Sequence, residues 1–310
     1  MSTFDMTSSS RKSLDDVQIS PHAPVSGGKV LYSPHSGVEY LSALYTWWSV
    51  LDAVVKEHNY GCNDKSPYSH PSSQCLAHHD RFNPYAFGYM RPEQAKVYAK
   101  HINMYGDKNT TKDILYCEIG TNGGHSSVMA LLASEKLQMV SFDMQEWTYT
   151  KEIARLLTAA FPGRFTVQQG SSFDTVPKFF TSNKDLECNI ALVDGLHTRK
   201  GVTLDLENLY YGMSCDHLIL IDDLQSPAGE AVNEMVNNGK LEIIDKRNFP
   251  MNSEEACLRL FVAKDSSARK RKYLSYADVQ RDYGLKYLCD RTNFSFAVAK
   301  FKGKKYGSCS

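Results

Sequence analysis

Tyr116-Cys117-Glu118-Ile119-Gly120-Thr121-Asn122-Gly123-Gly124-His125-Ser126-Ser127 is the stretch on which the fold turns. An apolar run, Ile114 to Cys117, enters an acid. A glycine-rich turn follows, and then Val128-Met129-Ala130-Leu131-Leu132 reads as a helix. Strand, tight loop and helix in that order aim backbone N–H groups and a positive helix end at a small anionic ligand. Glycines allow positive φ and a close approach to the backbone. The spacing does not fit the dinucleotide pattern G-x-G-x-x-G, because position 122 is Asn. Asn tolerates left-handed backbone better than most residues, and Gly123 beside it is expected to absorb the strain. Taken alone, this loop would also serve as a glycine turn in any α/β protein.

Outward from the loop, the alternation continues. Gln138 to Asp143 is a short apolar run ending in an acid, and Tyr149 to Phe161 reads as a helix. Arg164 to Gly170 is a strand, and Phe173 to Phe180 a short helix. Asn189-Ile190-Ala191-Leu192-Val193-Asp194 is nearly all apolar, as a parallel strand buried on both faces must be. Val202, Leu204, Leu206 and Leu209 belong to the next helix, and His217 to Asp223 is a fifth strand. This rhythm implies right-handed βαβ units and a parallel sheet. Ligands of such sheets sit beyond the carboxyl ends of the strands. Glu118, Asp143, Asp194 and the pair Asp222–Asp223 all fall there.

Composition bounds the function. The chain has 310 residues with 35 basic and 35 acidic side chains, so no net charge draws it to nucleic acid or membrane. The basic clusters Arg269–Lys272 and Lys300–Lys305 read as solvated faces or tail. Met1 to Val25 is rich in Ser and charge without an apolar core, so it does not read as a secretory signal. Leu41, Leu44, Trp47, Trp48, Leu51 and Val55 fall near helical spacing, which favours an amphipathic helix over a membrane span. The eight cysteines form no C-x-x-C pair. Free thiols in a reducing, cytoplasmic compartment are expected. The loop Cys62, His70, Cys75, His78, His79 has soft-metal ligand types but no zinc spacing.

Residues 1–36 read as a flexible tail and 37–111 as an N-terminal helical cap with a polar loop, including a helix from Pro92 to Met104. Residues 112–264 carry the sheet, with Leu241–Ile244 and Leu258–Val262 as its last two strands. Residues 265–310 form a C-terminal extension. Its run Phe294–Ala299 is the alternative last strand, with Leu285–Cys289 as partner, and the pattern leaves the two pairings open.

Two segments carry a family resemblance. The loop Glu118–Gly124 resembles the E-x-G-x-G-x-G loop of class I S-adenosylmethionine (SAM)-dependent methyltransferases, departing from it at Asn122. Val193-Asp194-Gly195-Leu196-His197-Thr198-Arg199-Lys200-Gly201-Val202-Thr203-Leu204-Asp205-Leu206 is similar to the D-G-x-H-x-x-x-G-V-x-x-D-L segment of the methyltransferase domain 24 family. That family is related to sugar and macrolide O-methyltransferases and to a cephalosporin-pathway protein. Many relatives carry D-G-D-H where this chain has Leu196. The resemblance implies a Rossmann-like α/β sheet of seven strands, mostly parallel with the last antiparallel, and helices on both faces.

It also implies a site. Glu118 would orient the methionine end of SAM, with Gly120, Thr121, Gly123, Gly124 and Ser126 completing the loop. Asp143 would meet the ribose, with Met144 beside it, and Ser171 and Ser172 would meet the adenine edge. Asp194 would close the cofactor site and share the chemistry. Asp194, Asp222 and Asp223 converge on neighbouring strand ends and would be neutralised by a hard cation such as Mg²⁺. Asp222 and Asp223 can share it only if the strand ends between them; otherwise one of them caps the following loop. His197 is the candidate base, or else a cap of the next helix. Asn83–Tyr98 and the Cys62–His79 loop are expected to shape the acceptor pocket. The implied reaction is O-methylation of a small hydroxylated molecule, with a homo-oligomer left open. A metal-dependent hydroxylase-like enzyme and a non-catalytic scaffold are the alternatives.

Overall fold

The computed structural model describes residues 37–58, 90–108, 113–250 and 293–303. Two helices, α1 (Gly37–His58) and α2 (Pro92–Lys108), precede the sheet. Then β1 (Ile114–Ile119), α3 (His125–Ala133), β2 (Leu137–Asp143), α4 (Thr148–Ala160), β3 (Phe165–Gln169) and α5 (Ser172–Ser182) alternate. They are followed by β4 (Cys188–Val193), α6 (Arg199–Gly212), β5 (Met213–Ile221), α7 (Pro227–Asn237), β6 (Leu241–Pro250) and β7 (Asn293–Phe301).

The seven strands form one sheet in the order β3-β2-β1-β4-β5-β7-β6. β1 to β5 run parallel, and β7 is antiparallel to both neighbours. The order reverses at β1 and β4, which lie side by side with Tyr116 opposite Ile190 and Ile119 opposite Val193. That reversal opens a crevice beyond their carboxyl ends. β7 comes from the segment read as a C-terminal extension, and it pairs with β5 and β6. Leu258–Val262 and Leu285–Cys289 lie outside the described residues, as do residues 1–36 and the Cys62–His79 loop.

Alternation along each strand divides the core in two. Ile114 and Tyr116 of β1 join Ile190 and Leu192 of β4 under α1, α2, α3 and α4. Cys117, Ile119, Ala191 and Val193 face the opposite layer, with Val202, Leu206 and Leu209 of α6 and Ala231 and Val232 of α7. The expected amphipathic helix is α1: Tyr40, Leu44, Trp48, Leu51 and Val55 are buried at helical spacing. Tyr40 Oη donates to the Met129 carbonyl at 3.1 Å and Trp48 Nε1 to the His125 carbonyl at 3.1 Å, tying α1 to α3. α2 reaches β5, where Tyr98 Oη donates to the Ile221 carbonyl at 3.0 Å. No helix among the described residues is long and apolar enough to cross a membrane.

Cys117 and Cys188, expected as free thiols, lie side by side in the core with Cα atoms 5.8 Å apart. The pairing register of β4 with β5 shifts between Cys188 and Ile190. Cys188 lies in the same core layer as Cys117. Sequence spacing carries no trace of that shift.

Candidate functional site

The loop after β1 is built on backbone that glycine favours at two points. Gly120 has φ +93° and Gly124 φ +77°, while Asn122 itself takes φ 42°. Gly123 does not have positive φ, so the strain expected there is carried by Asn122. Tyr149 Oη donates to Asn122 Oδ1 at 2.6 Å and holds that side chain. The described non-glycine residues with positive φ are Asn122, Gln145 and Asp223. They follow β1, β2 and β5 at the carboxyl edge, where strained backbone accompanies function.

Asp143 organises this loop from the end of β2. Its Oδ2 accepts the Thr121 N–H at 2.9 Å and the Asn122 N–H at 3.0 Å, and its Oδ1 accepts the Gln145 N–H at 2.6 Å. The side chain remains partly exposed at the end of β2. Met144 and Trp147 stand exposed beside it. Next in line, Gly170 donates its N–H to the Asp143 carbonyl at 2.9 Å. Ser171 caps α5 by accepting the Phe173 N–H at 3.3 Å. Ser172 Oγ donates to Asp205 Oδ1 at 2.6 Å.

Glu118, expected against the methionine end of the cofactor, is fully buried beneath the loop. Its carboxylate accepts hydroxyl bonds from Ser126 at 2.6 Å, Ser127 at 2.5 Å and Ser141 at 2.8 Å. These bonds fasten the start of α3 to β1 and β2. Burial pushes the carboxyl up to about 7, against the three hydroxyl bonds that pull it down. An acid raised in the folded state is stabilising while protonated, and that stability is lost as pH rises from about 4.5 through about 7. The loss is on the order of 3 kcal/mol. Glu118→Gln is therefore expected to flatten the fall in urea midpoint between pH 5 and 8 relative to wild type. An unchanged difference between the two pH values would show that the buried carboxyl does not set it.

Beyond β4 and β5 the acids and the imidazole meet. His197 Nε2 lies 3.1 Å from Asp194 Oδ1, and its Nδ1 lies 2.7 Å from Asp223 Oδ2. Bonds to Asp194 and then Asp223 push the imidazole up to about 10. The Asp194 carboxyl is itself raised by desolvation, with the His197 bond opposing. Among the described residues, Asp194, His197 and Asp223 form the group of acid and imidazole side chains whose ligand atoms all lie within 4.8 Å of one another. Asp223 reaches it through positive φ, 54°.

Asp222 stays outside that group. β5 ends at Ile221, before both acids and not between them. Asp222 Oδ1 accepts the Asp223 N–H at 2.6 Å, and its carboxyl, raised to about 8 by desolvation and the Asp194 and Asp223 charges, lies beside Gln94 of α2. The alternative of His197 as a helix cap is also corrected. Thr198 caps α6, its Oγ1 accepting the Gly201 N–H at 3.0 Å.

Gln94, Asp205 and Tyr149 were not legible as site residues. Gln94 is buried on α2, Asp205 on α6, and Tyr149 on α4. Each meets the rim only through packing of its helix. The periodicity of α6 offered one signal, an acid at position 205 inside the apolar run Val202 to Leu209. Of the Asn83–Tyr98 segment, residues 83–89 lie outside the described residues. Met90 and Tyr98 are buried in the core rather than open to a pocket.

Residues 117–224 match the family model of a methyltransferase domain. No curated protein matches the chain. Among solved structures, the O-methyltransferase TomG from Streptomyces achromogenes, involved in tomaymycin synthesis and in complex with SAM, is 11% identical over 69% of this chain and 82% of that one, with TM-score 0.46. A SAM-dependent methyltransferase from Geobacter sulfurreducens in complex with S-adenosylhomocysteine is 13% identical over 73% of this chain and 95% of its own, with TM-score 0.43. An O-methyltransferase described from Klebsiella pneumoniae is 13% identical over 64% and 82%, with TM-score 0.42.

Proposed function

We propose that the chain is a class I SAM-dependent methyltransferase that methylates an oxygen of a small hydroxylated molecule, a reading supported by the match of residues 117–224 to a methyltransferase domain. The observation that carries this reading is the Asp194–His197–Asp223 group at the rim of β4 and β5, one strand away from the glycine loop of β1. An imidazole held between two carboxylates suits handling of a hydroxyl proton next to a bound methyl donor, once one of those carboxylates is engaged elsewhere.

The residues fit the cofactor. The loop of β1 leads into the start of α3, and Asp143, part-exposed, braces it by accepting the Thr121 and Asn122 N–H groups. Asp143, Met144, Ser171 and Ser172 would line the nucleoside side. Thr121, Gly123, Gly124 and Ser126 belong to the turn that would take the amino-acid end. Gly120 shapes this turn from behind, since its Cβ position is filled by Asp194 backbone. SAM, when bound, supplies a methyl group on a sulfonium, open to in-line attack.

The residues also fit a divalent cation such as Mg²⁺. Asp194 and Asp223 would hold it, with His197 as a nitrogen neighbour, and Asp222 would support them from the α2 side. A bound cation supplies Lewis acidity that lowers the pKa of a hydroxyl. His197 holds a proton between two carboxylates. It accepts the acceptor's proton only when one of those carboxylates is otherwise engaged, by a cation or by the substrate. Leu196, exposed in the same loop, would contact the acceptor where many relatives have an acid.

Calorimetry with SAM and a methyl-transfer assay against a panel of phenols and sugar hydroxyls test this reading together. Micromolar SAM binding is expected, with activity removed by excess EDTA and restored by Mg²⁺. Absence of SAM binding at millimolar concentration rejects the methyltransferase reading. Full activity in excess EDTA rejects the cation and leaves the His197 cluster acting alone.

A further inference from the structure

Two loops at the rim carry different halves of the proposed chemistry. The turn from Gly170 to Ser172 lies on the nucleoside side, and the loop after β4 carries Asp194, Gly195 and His197. Asp205 of α6 sits between them with no exposed surface. Its Oδ1 accepts the Ser172 hydroxyl at 2.6 Å. Its Oδ2 is buried without a hydrogen-bond partner. On the other side, a Cβ added to Gly195 would lie 3.3 Å from that Oδ2 and 2.8 Å from Ile119 Cγ2. A missing side chain at position 195 thus lets the acid-bearing loop lie against Asp205. Carboxylates are seldom fully buried, and buried acceptors are seldom left unpaired. An apolar residue would fill the same space in the layer of Val202, Leu206 and Leu209 without either penalty. The carboxylate at this position is therefore explained by what it joins and not by packing.

Resting on the methyltransferase reading, we propose that Asp205 is a positioning residue. It locks the nucleoside-side turn, through Ser172, to the loop that carries Asp194 and His197. The cofactor then meets a rim whose two halves are already in register. Asp205 has no surface with which to touch the ligand, so its influence passes through Ser172 and Gly195.

The test measures S-adenosylhomocysteine affinity by calorimetry on the full chain, with melting temperature recorded beside it. Asp205→Ala is expected to weaken binding about tenfold or more. Asp205→Asn, which keeps an oxygen for the Ser172 hydroxyl, should recover affinity to within about threefold of wild type. In the double variant, Ser172→Ala should add little to Asp205→Ala, since the two act as one unit. A purely structural role predicts a lower melting temperature with unchanged affinity, and that result overturns the proposal. So does full additivity of the two substitutions. If Asp205→Ala does not fold, Ser172→Ala with wild-type affinity overturns it equally. Wild-type protein that binds no S-adenosylhomocysteine overturns the methyltransferase reading itself, and this inference with it.

Discussion

His197→Ala is expected to lower kcat by roughly 10²–10⁴-fold while affinity for S-adenosylhomocysteine stays within about threefold of wild type. Both ring nitrogens of His197 are engaged, one by Asp194 at 3.1 Å and one by Asp223 at 2.7 Å. The imidazole is the one group of that cluster able to carry a proton as a cation. Removing it leaves two carboxylates facing each other and no carrier between them. The glycine loop, Asp143 and Ser172 do not touch His197, so the cofactor side should be spared. His197→Gln separates the two contributions. Glutamine can donate to one carboxylate but cannot move a proton, so its kcat should be as low as that of the alanine variant. The rate is measured in single turnover at saturating SAM, with calorimetry alongside. A kcat within about twofold of wild type in both variants would leave proton removal to a cation or to the substrate's own acidity.

Gly120→Val is expected to lose the fold of the loop and not merely the ligand. Space for a ligand was the expected reason for a glycine here, and the structure gives a different one. A Cβ on Gly120 would lie 2.2 Å from the Asp194 carbonyl oxygen and 2.9 Å from its carbon. Backbone is what it meets, so no side-chain rotation relieves the clash. The residue also holds φ +93°, which a β-branched side chain avoids. Its N–H donates to the Phe142 carbonyl at 2.9 Å, so a shift of the loop would break the join to β2 as well. Together these are expected to destabilise by about 4 kcal/mol or more, read as a fall in urea midpoint. SAM binding disappears with the structure. A variant with a wild-type urea midpoint and no SAM binding would mean that the ligand, and not Asp194, occupies the space.

Much of this molecule was legible in one dimension. Parallel strands buried on both faces need continuous apolar runs, and Ile114–Cys117, Ile190–Val193 and Leu218–Ile221 are such runs. Each is followed by polar or acidic residues because the chain must leave the sheet where water and ligand are. The order of those events along the chain gives β1 to β5, the crevice and the acids around it. Local chemistry also told that Asn122 could stand in left-handed backbone, but not that it, rather than Gly123, would do so.

What remained hidden depended on partners distant in sequence. Glu118 is separated from Ser141 by helix α3, and only the pairing of β1 with β2 shows that acid anchored against Ser141 beneath the loop. β7 enters between β5 and β6 from beyond position 290, and an apolar alternation says nothing about which neighbours a strand will choose. Cys188 breaks the alternation that puts Ile190 and Leu192 in the other layer, and it shares a layer with Cys117. Asp222 and Asp223 differ by one position and by no chemistry. Positive φ at Asp223 sends one to His197, while the other keeps to the α2 side. The residue types and their order set which chemistry could gather at the rim; helix packing and backbone dihedrals decided which of those groups touch.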